Sequence, residues 1–373
     1  MPPNTTNNSV ESVSEQFQKL DLKTLAREKG NYQVYPRTNY PPLEPFEHYD
    51  PGKLADPKKA SLYDNAERIF DLTPSIGTEV HGLQLSQLTD QQKNDLALLT
   101  AERGVIFFRN QDLDPYQGVE FGKYFGRLHI HNIVGHPPGL PYIASIFYNE
   151  QDPQTTKLFE SRSADEGWHS DITYENQPAG LTFLKVSIID TVPGDGDTIG
   201  GDTIWASAYG AYDKLSKPMQ QFLEGLEAVH TGQVHKDNAQ RTGHFIRRDF
   251  VDYVHPVIRT HPLTGWKGLF VQPGFTKSIV GLNRKESDVL LKFLFNHIAG
   301  GHDFQVRFKW TEDTVAVWDN RATFHCAIFD YFTSGRRHGW RITPTAERPY
   351  YDPNSKSRRE DLAERAEKEA NSQ

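Results

Sequence analysis

Between about residue 140 and residue 345 the chain is a succession of short apolar, β-branched and aromatic runs: PYIASIFY, GLTFLKVSII, DTIWAS, HPVIRTH, GLFVQP, FQVRFKW, TVAVWDN and HGWRITP. Turns rich in Gly, Pro, Asp and Asn separate them, which is the pattern of consecutive strands. Ahead of these runs, GVIFFRN reads as a further buried strand, flanked by two helix candidates. The first, TDQQKNDLALLTAERG, has Thr89 as N-cap, apolar positions at helical spacing and Gly104 as its stop. The second is PYQGVEFGKYFGRL. Two more helical stretches, Ala208–His230 and Arg284–Ile298, interrupt the strands. Many short strands with few helices predict a mainly β fold with helical insertions, a barrel or jelly roll rather than a parallel α/β sheet.

The ends differ in pattern. Residues 1 to about 30 are polar and charged, consistent with disorder or a loose helix, and Tyr32–Lys59 is rich in Pro, Tyr and Asp, the signature of an extended arm lying on a body. The expected division is therefore an arm over residues 1–60, one domain over 61–349, and a charged tail over 350–373 that forms a solvated helix or frays.

Composition narrows the functional classes. The 373 residues carry 41 basic and 49 acidic side chains, a net charge of −8, which disfavours nucleic acid or an anionic membrane as partner because both call for a basic face. The single cysteine, Cys326, cannot form an internal disulfide, and the chain contains no apolar run of about 18 residues and no secretory signal pattern at its start. These features predict a cytoplasmic protein.

Three groups of residues carry chemistry. His169 and Asp171 are two apart, so on a strand both side chains reach one side and can share an ion. Such a pair also arises by chance in many proteins. His325 lies 154 positions after Asp171, just past the run TVAVWDN. Brought beside the pair on a barrel, it completes a two-histidine, one-carboxylate triad that leaves three adjacent metal positions open, the arrangement of iron(II) oxygenases. Arg337 and Arg341 follow His325 by 12 and 16 residues and share one face of a strand, where a guanidinium can grip a carboxylate through paired hydrogen bonds; a surface basic turn is the alternative.

Together with FFRNQDL, FGKYFGRLHIH, WHSDITYENQPAG, GGDTIWAS, HPVIRTHPLTG, LFVQPGFTKSIVGL, WDNRATFH and the RRHGWRIT segment, in that order, these residues resemble the taurine dioxygenase-like (TauD/TfdA) family of iron(II)/2-oxoglutarate dioxygenases. The resemblance spans about Leu72 to Pro349, and the fungal sulfonate dioxygenases are its most similar branch. It implies a double-stranded β-helix, the cupin-like jelly roll. It implies iron(II), 2-oxoglutarate and O2 as cofactor and co-substrates, with His169, Asp171 and His325 on the metal. Arg337 would pair with the distal carboxylate of 2-oxoglutarate, helped by the Thr203 hydroxyl, and Arg341 would lie near its keto-acid end and the substrate's anionic group. His131 and the backbone of Ile172 would contact a sulfonate, and Phe275 and Tyr174 would wall the pocket. The partner implied is a small anionic substrate, and the assemblies to expect are a homodimer or homotetramer.

The sequence departs from the family at several points. The tyrosine that contacts a taurine-like amine is Val134 here, and an asparagine shortly before the His-x-Asp pair falls near Asp165. Extra residues, PGDGDTI, precede the GGDT turn and make Thr198 an alternative to Thr203, and the arginine segment carries one residue more than the family spacing. Other conspicuous residues have ordinary readings: His129 and His136 as packing, GDGDTIGG as a long turn that lacks a phosphate-loop pattern, Cys326 as a small apolar residue, and His255 and His261 as strand organisers. The functional expectation is hydroxylation of a sulfonate to release sulfite and an aldehyde, with succinate and CO2 formed from 2-oxoglutarate. The alternatives are the same chemistry on an amino acid or other carboxylate (hydroxylation, desaturation or cyclisation), or a non-catalytic small-molecule-binding barrel.

Overall fold

The computed structural model describes residues 35–148, 163–190, 200–331 and 337–371. Two antiparallel-rich sheets dominate. The larger has seven strands: β1 (Arg68–Asp71), β2 (Thr78–His81), β3 (Val105–Phe108), β4 (Ala144–Tyr148), β5 (Leu181–Ile189), β8 (Thr314–Asp319) and β10 (Arg337–Ile342), counted together with β6 (Thr203–Ser207), β7 (Gln305–Phe308) and β9 (Thr323–Ala327) of the smaller sheet. Their spatial orders are β1-β2-β3-β8-β5-β10-β4 and β7-β6-β9, and only the β2–β3 pair is parallel. The remaining short strands form a three-stranded sheet and two two-stranded pairs.

Apolar alternation fails in β3 and β8 because both faces are covered, and every residue of each is buried. Rings from the two sheets meet face to face. Phe107 of β3 stacks on Phe308 of β7 at 3.8 Å and 3°, and Trp205 of β6 lies 5.3 Å from Phe107 and 5.8 Å from Trp318 of β8. On the outer side, the helix Asp90–Arg103 (α1) packs Leu96 and Leu99 against the same strands. It starts at a capping box in which Thr89 and Gln92 satisfy each other's backbone N–H groups, and it stops at Gly104, as the sequence predicts. Gly339 marks a bulge between β10 and β5, where any Cβ would lie 2.2 Å from the Lys185 carbonyl. Only glycine lets these strands approach.

The helical stretch expected over Ala208–His230 is two short helices, Ala208–Asp213 and Lys217–Leu223, followed by the strand Glu227–Thr231. Pro218 and the turn at Gly225 break the helix, and the β-branched residues beyond them pair with Thr276–Ile279 and Asp252–Pro256. HPVIRTH is likewise two strands, Asp252–Pro256 and Ile258–Thr260. A helix over Gln233–Thr242 is mostly polar, with Val234 and Ala239 its only apolar residues, and so has no apolar stripe by which to anticipate it. At the other end, Arg358–Ala370 is helical and its Asp361 accepts a hydrogen bond from the Trp266 indole. Residues 1–34 and the alternative Thr198 lie outside the described residues.

A buried ionic cluster joins the arm to the body. Arg321, between β8 and β9, contacts Asp319 on both carboxylate oxygens and also reaches Asp50 and Glu347, while His261 holds the second oxygen of Asp319 at 3.0 Å. Burial alone would raise the Asp319 pKa, but Arg321 and His261 hold it well below the carboxylate range.

Phe107→Ala, which empties the centre of the inter-sheet ring cluster, is expected to cost about 3–5 kcal/mol of stability. The check is a lower urea midpoint at an unchanged slope.

Candidate active site

His169 and His325 approach through the backbone. Each N–H donates to the other's carbonyl, at 3.0 and 2.8 Å, forming an isolated antiparallel bridge. Their rings consequently sit 4.1 Å apart, and Asp171, two residues on, turns a carboxylate oxygen towards both: Oδ1 lies 3.7 Å from Nε2 of His169 and 3.8 Å from Nε2 of His325. One ligand atom from each residue falls within a 4.8 Å cluster.

The donor set fits a divalent metal. Nδ1 of His169 donates to the Gly167 carbonyl at 2.7 Å, which fixes the tautomer and leaves the Nε2 lone pair free. Burial, then the neighbouring His169, pushes the His325 pKa well below its ordinary value, which favours its neutral, lone-pair-bearing form. Asp171 is buried, which by itself would raise its pKa; Arg341, His325 and His169 instead hold it well below the carboxylate range. Its second oxygen accepts from the Thr182 hydroxyl at 3.0 Å, and Asn320 accepts the Asp171 N–H while donating to Thr182. Two imidazoles and one carboxylate on one side of an ion leave its other side open.

Both arginines project from β10. Arg341 donates to Asp171 Oδ1 at 2.8 Å, which places it at the triad. Arg337 is buried, donates to the carbonyls of Gly200 and Gly201, and lies over the Tyr331 ring at 4.5 Å. Thr203, two residues beyond Gly201, opens β6 with its hydroxyl accepting from the Trp310 indole at 3.0 Å. Arg337, at the start of β10, thus meets the turn that leads into Thr203, while Arg341, near the other end of β10, lies beside Asp171.

His131 is half-buried. Its Nδ1 accepts from the N–H groups of Ile133 and Val134 at 3.2 and 3.0 Å, so the proton rides on Nε2. Burial, followed by Arg341, pushes its pKa well below the ordinary histidine value. It is therefore a neutral donor beside a cationic group. Ile172 has φ +47°, a left-handed conformation rare for a β-branched residue, and is buried with Tyr174 and Phe275. Phe275 lies 6.1 Å from the His169 ring and 5.1 Å from Tyr174. Asp165 is exposed on the turn Ala164–Gly167, where it lines a surface cleft of about 330 Å³ with Lys277, Lys292 and Phe295.

Sequence reasoning missed several neighbours. Thr182 and Asn320 support Asp171, and although Asn320 stands in the quoted WDN run, nothing in that run distinguishes a supporting amide from a turn asparagine. His235, on the polar helix Gln233–Thr242, lies 4.8 Å from Phe275 and 6.4 Å from His131 by ring centres. Among the described residues no helix is long and apolar enough to cross a membrane.

Two sheets packed on an aromatic core, with a two-histidine, one-carboxylate cluster and two arginines on an adjacent strand, define a protein built to hold a metal beside an anion. The chain belongs to the taurine catabolism dioxygenase TauD, TfdA family, whose model matches residues 68–343, and its fold is the cupin-like one of that family. It is 39% identical over 345 residues to the alpha-ketoglutarate-dependent sulfonate dioxygenase of Saccharomyces cerevisiae, covering 89% of this chain and 82% of the relative. It is 40% identical over 342 residues to the alpha-ketoglutarate-dependent dioxygenase cnsP of Penicillium expansum, with 87% and 90% covered. Among solved structures, a taurine dioxygenase from Burkholderia xenovorans superposes with a TM-score of 0.63 at 32% identity, covering 77% of this chain and 93% of that one.

Thr182→Val removes the hydroxyl that orients Asp171 and should weaken binding of a divalent metal by roughly 10- to 100-fold. Metal titration of the purified protein measures it; an affinity equal to wild type would deny Thr182 that role.

Proposed function

We propose that this chain is an iron(II)/2-oxoglutarate-dependent dioxygenase that oxidises a C–H bond of a small anionic substrate, with a sulfonate as the substrate class. The observation that carries the reading is the clustering of His169, Asp171 and His325 ligand atoms within 4.8 Å, with both imidazoles neutral or tautomer-fixed and Arg337 and Arg341 on the neighbouring strand. The family and the sulfonate dioxygenase relative from yeast support the choice of chemistry and substrate.

In this reading His169, Asp171 and His325 hold iron. Bound there, iron(II) with O2 supplies the oxidative decarboxylation of 2-oxoglutarate to succinate and CO2, coupled to oxidation of the substrate. The chain's own residues do the positioning. Arg337 exchanges its bonds to the Gly200 and Gly201 carbonyls for the distal carboxylate of 2-oxoglutarate, with the Thr203 hydroxyl beside it. Arg341 stabilises the keto-acid end and the substrate's anion while keeping Asp171 ionised. The Nε2–H of His131 and the backbone N–H of Ile172 donate to the sulfonate, and Phe275, Tyr174 and Val134 form apolar walls that exclude water. A hydroxyl placed on the carbon bearing the sulfonate loses its proton as the C–S bond breaks. The bonding pair leaves with sulfite, and an aldehyde remains.

The seven- and three-stranded sheets are read as the two halves of a double-stranded β-helix. Residues 61–349 are the catalytic domain, flanked by the arm and the charged tail. One cysteine and a mildly acidic net charge of −8 support a cytoplasmic location. A second reading, the same oxidation of an amino acid or other carboxylate, is favoured by Val134 in place of the tyrosine that contacts a taurine-like amine.

Asp171→Ala and His325→Ala are expected to abolish succinate formation in protein of unchanged fold; substantial turnover in either would sink the triad. Arg337→Ala should raise the 2-oxoglutarate concentration required by roughly 30- to 150-fold, the equivalent of about 2–3 kcal/mol for a charged hydrogen bond. Anaerobic protein given iron(II) and 2-oxoglutarate should show the weak visible charge-transfer band of the chelate. Sulfite release across sulfonates and amino acids then separates the two substrate readings.

A further inference from the structure

The first part of the arm, Tyr35–Pro41, lies against Arg247, Arg248 and the segment that carries His131. We propose that this arm is a strap that positions His131, acting through a clamp formed by Arg247 and Arg248. The proposal rests on the reading of His131 as a contact for the substrate's anion.

The clamp holds the chain on both sides of His131. Arg247 donates its backbone N–H to the Asn132 carbonyl at 2.7 Å and its guanidinium to the Ile133 carbonyl at 3.0 Å. Arg248 donates to the Ile130 carbonyl at 2.9 Å, with the same nitrogen 3.3 Å from the His129 ring. Asn132 returns the contact, donating to the carbonyls of Arg248 and Asp249 at 3.2 and 3.3 Å and accepting from the Tyr174 hydroxyl at 3.1 Å. Residues 129, 130, 132 and 133 are all gripped, and His131 stands between them.

The other side of each guanidinium is closed by the arm. Arg247 donates to the Pro36 carbonyl at 3.1 Å and Arg248 to the Pro41 carbonyl at 2.9 Å, while the Tyr40 N–H donates to the Arg247 carbonyl at 2.7 Å. The Tyr40 hydroxyl meets His136 at 3.1 Å, and Tyr35 packs so closely on Gly135 that a Cβ there would lie 2.1 Å from its ring. Both arginines are buried. A guanidinium has five donors in a rigid fork, so each one can bridge the two segments and fix their separation.

The mechanical consequence falls on one half of the site. Beyond the short strand Arg127–Leu128 the backbone is tied to the sheet side only at His129, whose N–H donates to the Thr343 carbonyl, and at Gly135, whose carbonyl accepts from Ser145, so between these two ties the clamp holds the segment. The imidazole depends on the segment in turn, because its Nδ1 accepts from the N–H groups of Ile133 and Val134. His169 and His325 are instead tied by their own backbone bridge. Removing the arm takes away carbonyl acceptors of two buried guanidinium groups, and the His131 segment must shift to rehydrate them. Arg247 and Arg248 are thus positioning residues for the substrate.

The test compares the full-length enzyme with chains lacking residues 1–30 and 1–41, loaded with iron(II) and 2-oxoglutarate and assayed with taurine and with alkyl sulfonates. Loss of 1–41 should raise KM for the sulfonate by about tenfold or more, increase the succinate formed without matching sulfite, and leave the KM for 2-oxoglutarate unaltered; loss of 1–30 should do nothing. An unchanged sulfonate KM, or an equal rise in both KM values, overturns the strap. If the wild type turns over no sulfonate, the substrate reading fails, and side-chain 15N spectra of histidines in metal-free protein still decide the strap. His131 should be a single Nε2-protonated tautomer in the wild type and a mixture in Arg247→Gln and in the chain lacking 1–41. An identical His131 signal in all three overturns it.

Discussion

Two hydrogen bonds between the backbones of His169 and His325 join stretches of chain more than 150 residues apart, and the placement of the His169, Asp171 and His325 cluster depends on them. They set the separation of the two rings. They also fix the direction in which the following residues leave, which carries Asp171 to a point where its oxygen faces both imidazoles. The backbone bond fixes where the two imidazoles start, and the bonds from His169 Nδ1 to Gly167 and from Thr182 and Arg341 to Asp171 hold side-chain directions before any ion arrives, so less reorganisation is needed on binding.

The bridge is supported from below by polar groups that are individually costly to bury. Asn320 receives the Asp171 N–H, and its neighbours Asp319 and Arg321 belong to the ionic cluster that reaches His261, Glu347 and the arm through Asp50. Taking these charges out of water is repaid only if every partner is in place. That requirement gives the turn between β8 and β9 one geometry, so the arm contributes both at Asp50, through Arg321, and at Pro36 and Pro41, through Arg247 and Arg248.

The sequence made the strand-rich body legible because most of its runs are short, apolar and bounded by turn residues, and α1 because its cap and stop are explicit. The boundary errors have a common cause. Glu227–Thr231 follows helical residues without a strong break in hydrophobicity, and only its pairing with two partner strands reveals it as a strand. The metal cluster was visible because residue type and spacing carry its chemistry. The supporting residues were not: Thr182 sits inside an ordinary apolar strand, and Arg247 and Arg248 look like a surface basic pair until their carbonyl partners, more than 110 residues away, are seen. Long-range hydrogen bonds to backbone leave no pattern in the side chains they join.

Ile172 sits directly after a metal-ligand candidate in a left-handed conformation that costs a β-branched residue about 1–3 kcal/mol. Glycine would relax that conformation, but it would also vacate the wall against Tyr174 and Phe275 and let the peptide swing away from the pocket. Thermal robustness and catalytic precision therefore pull this position in opposite directions. A selection for heat resistance alone would be drawn to Ile172 and would erode the enzyme there first.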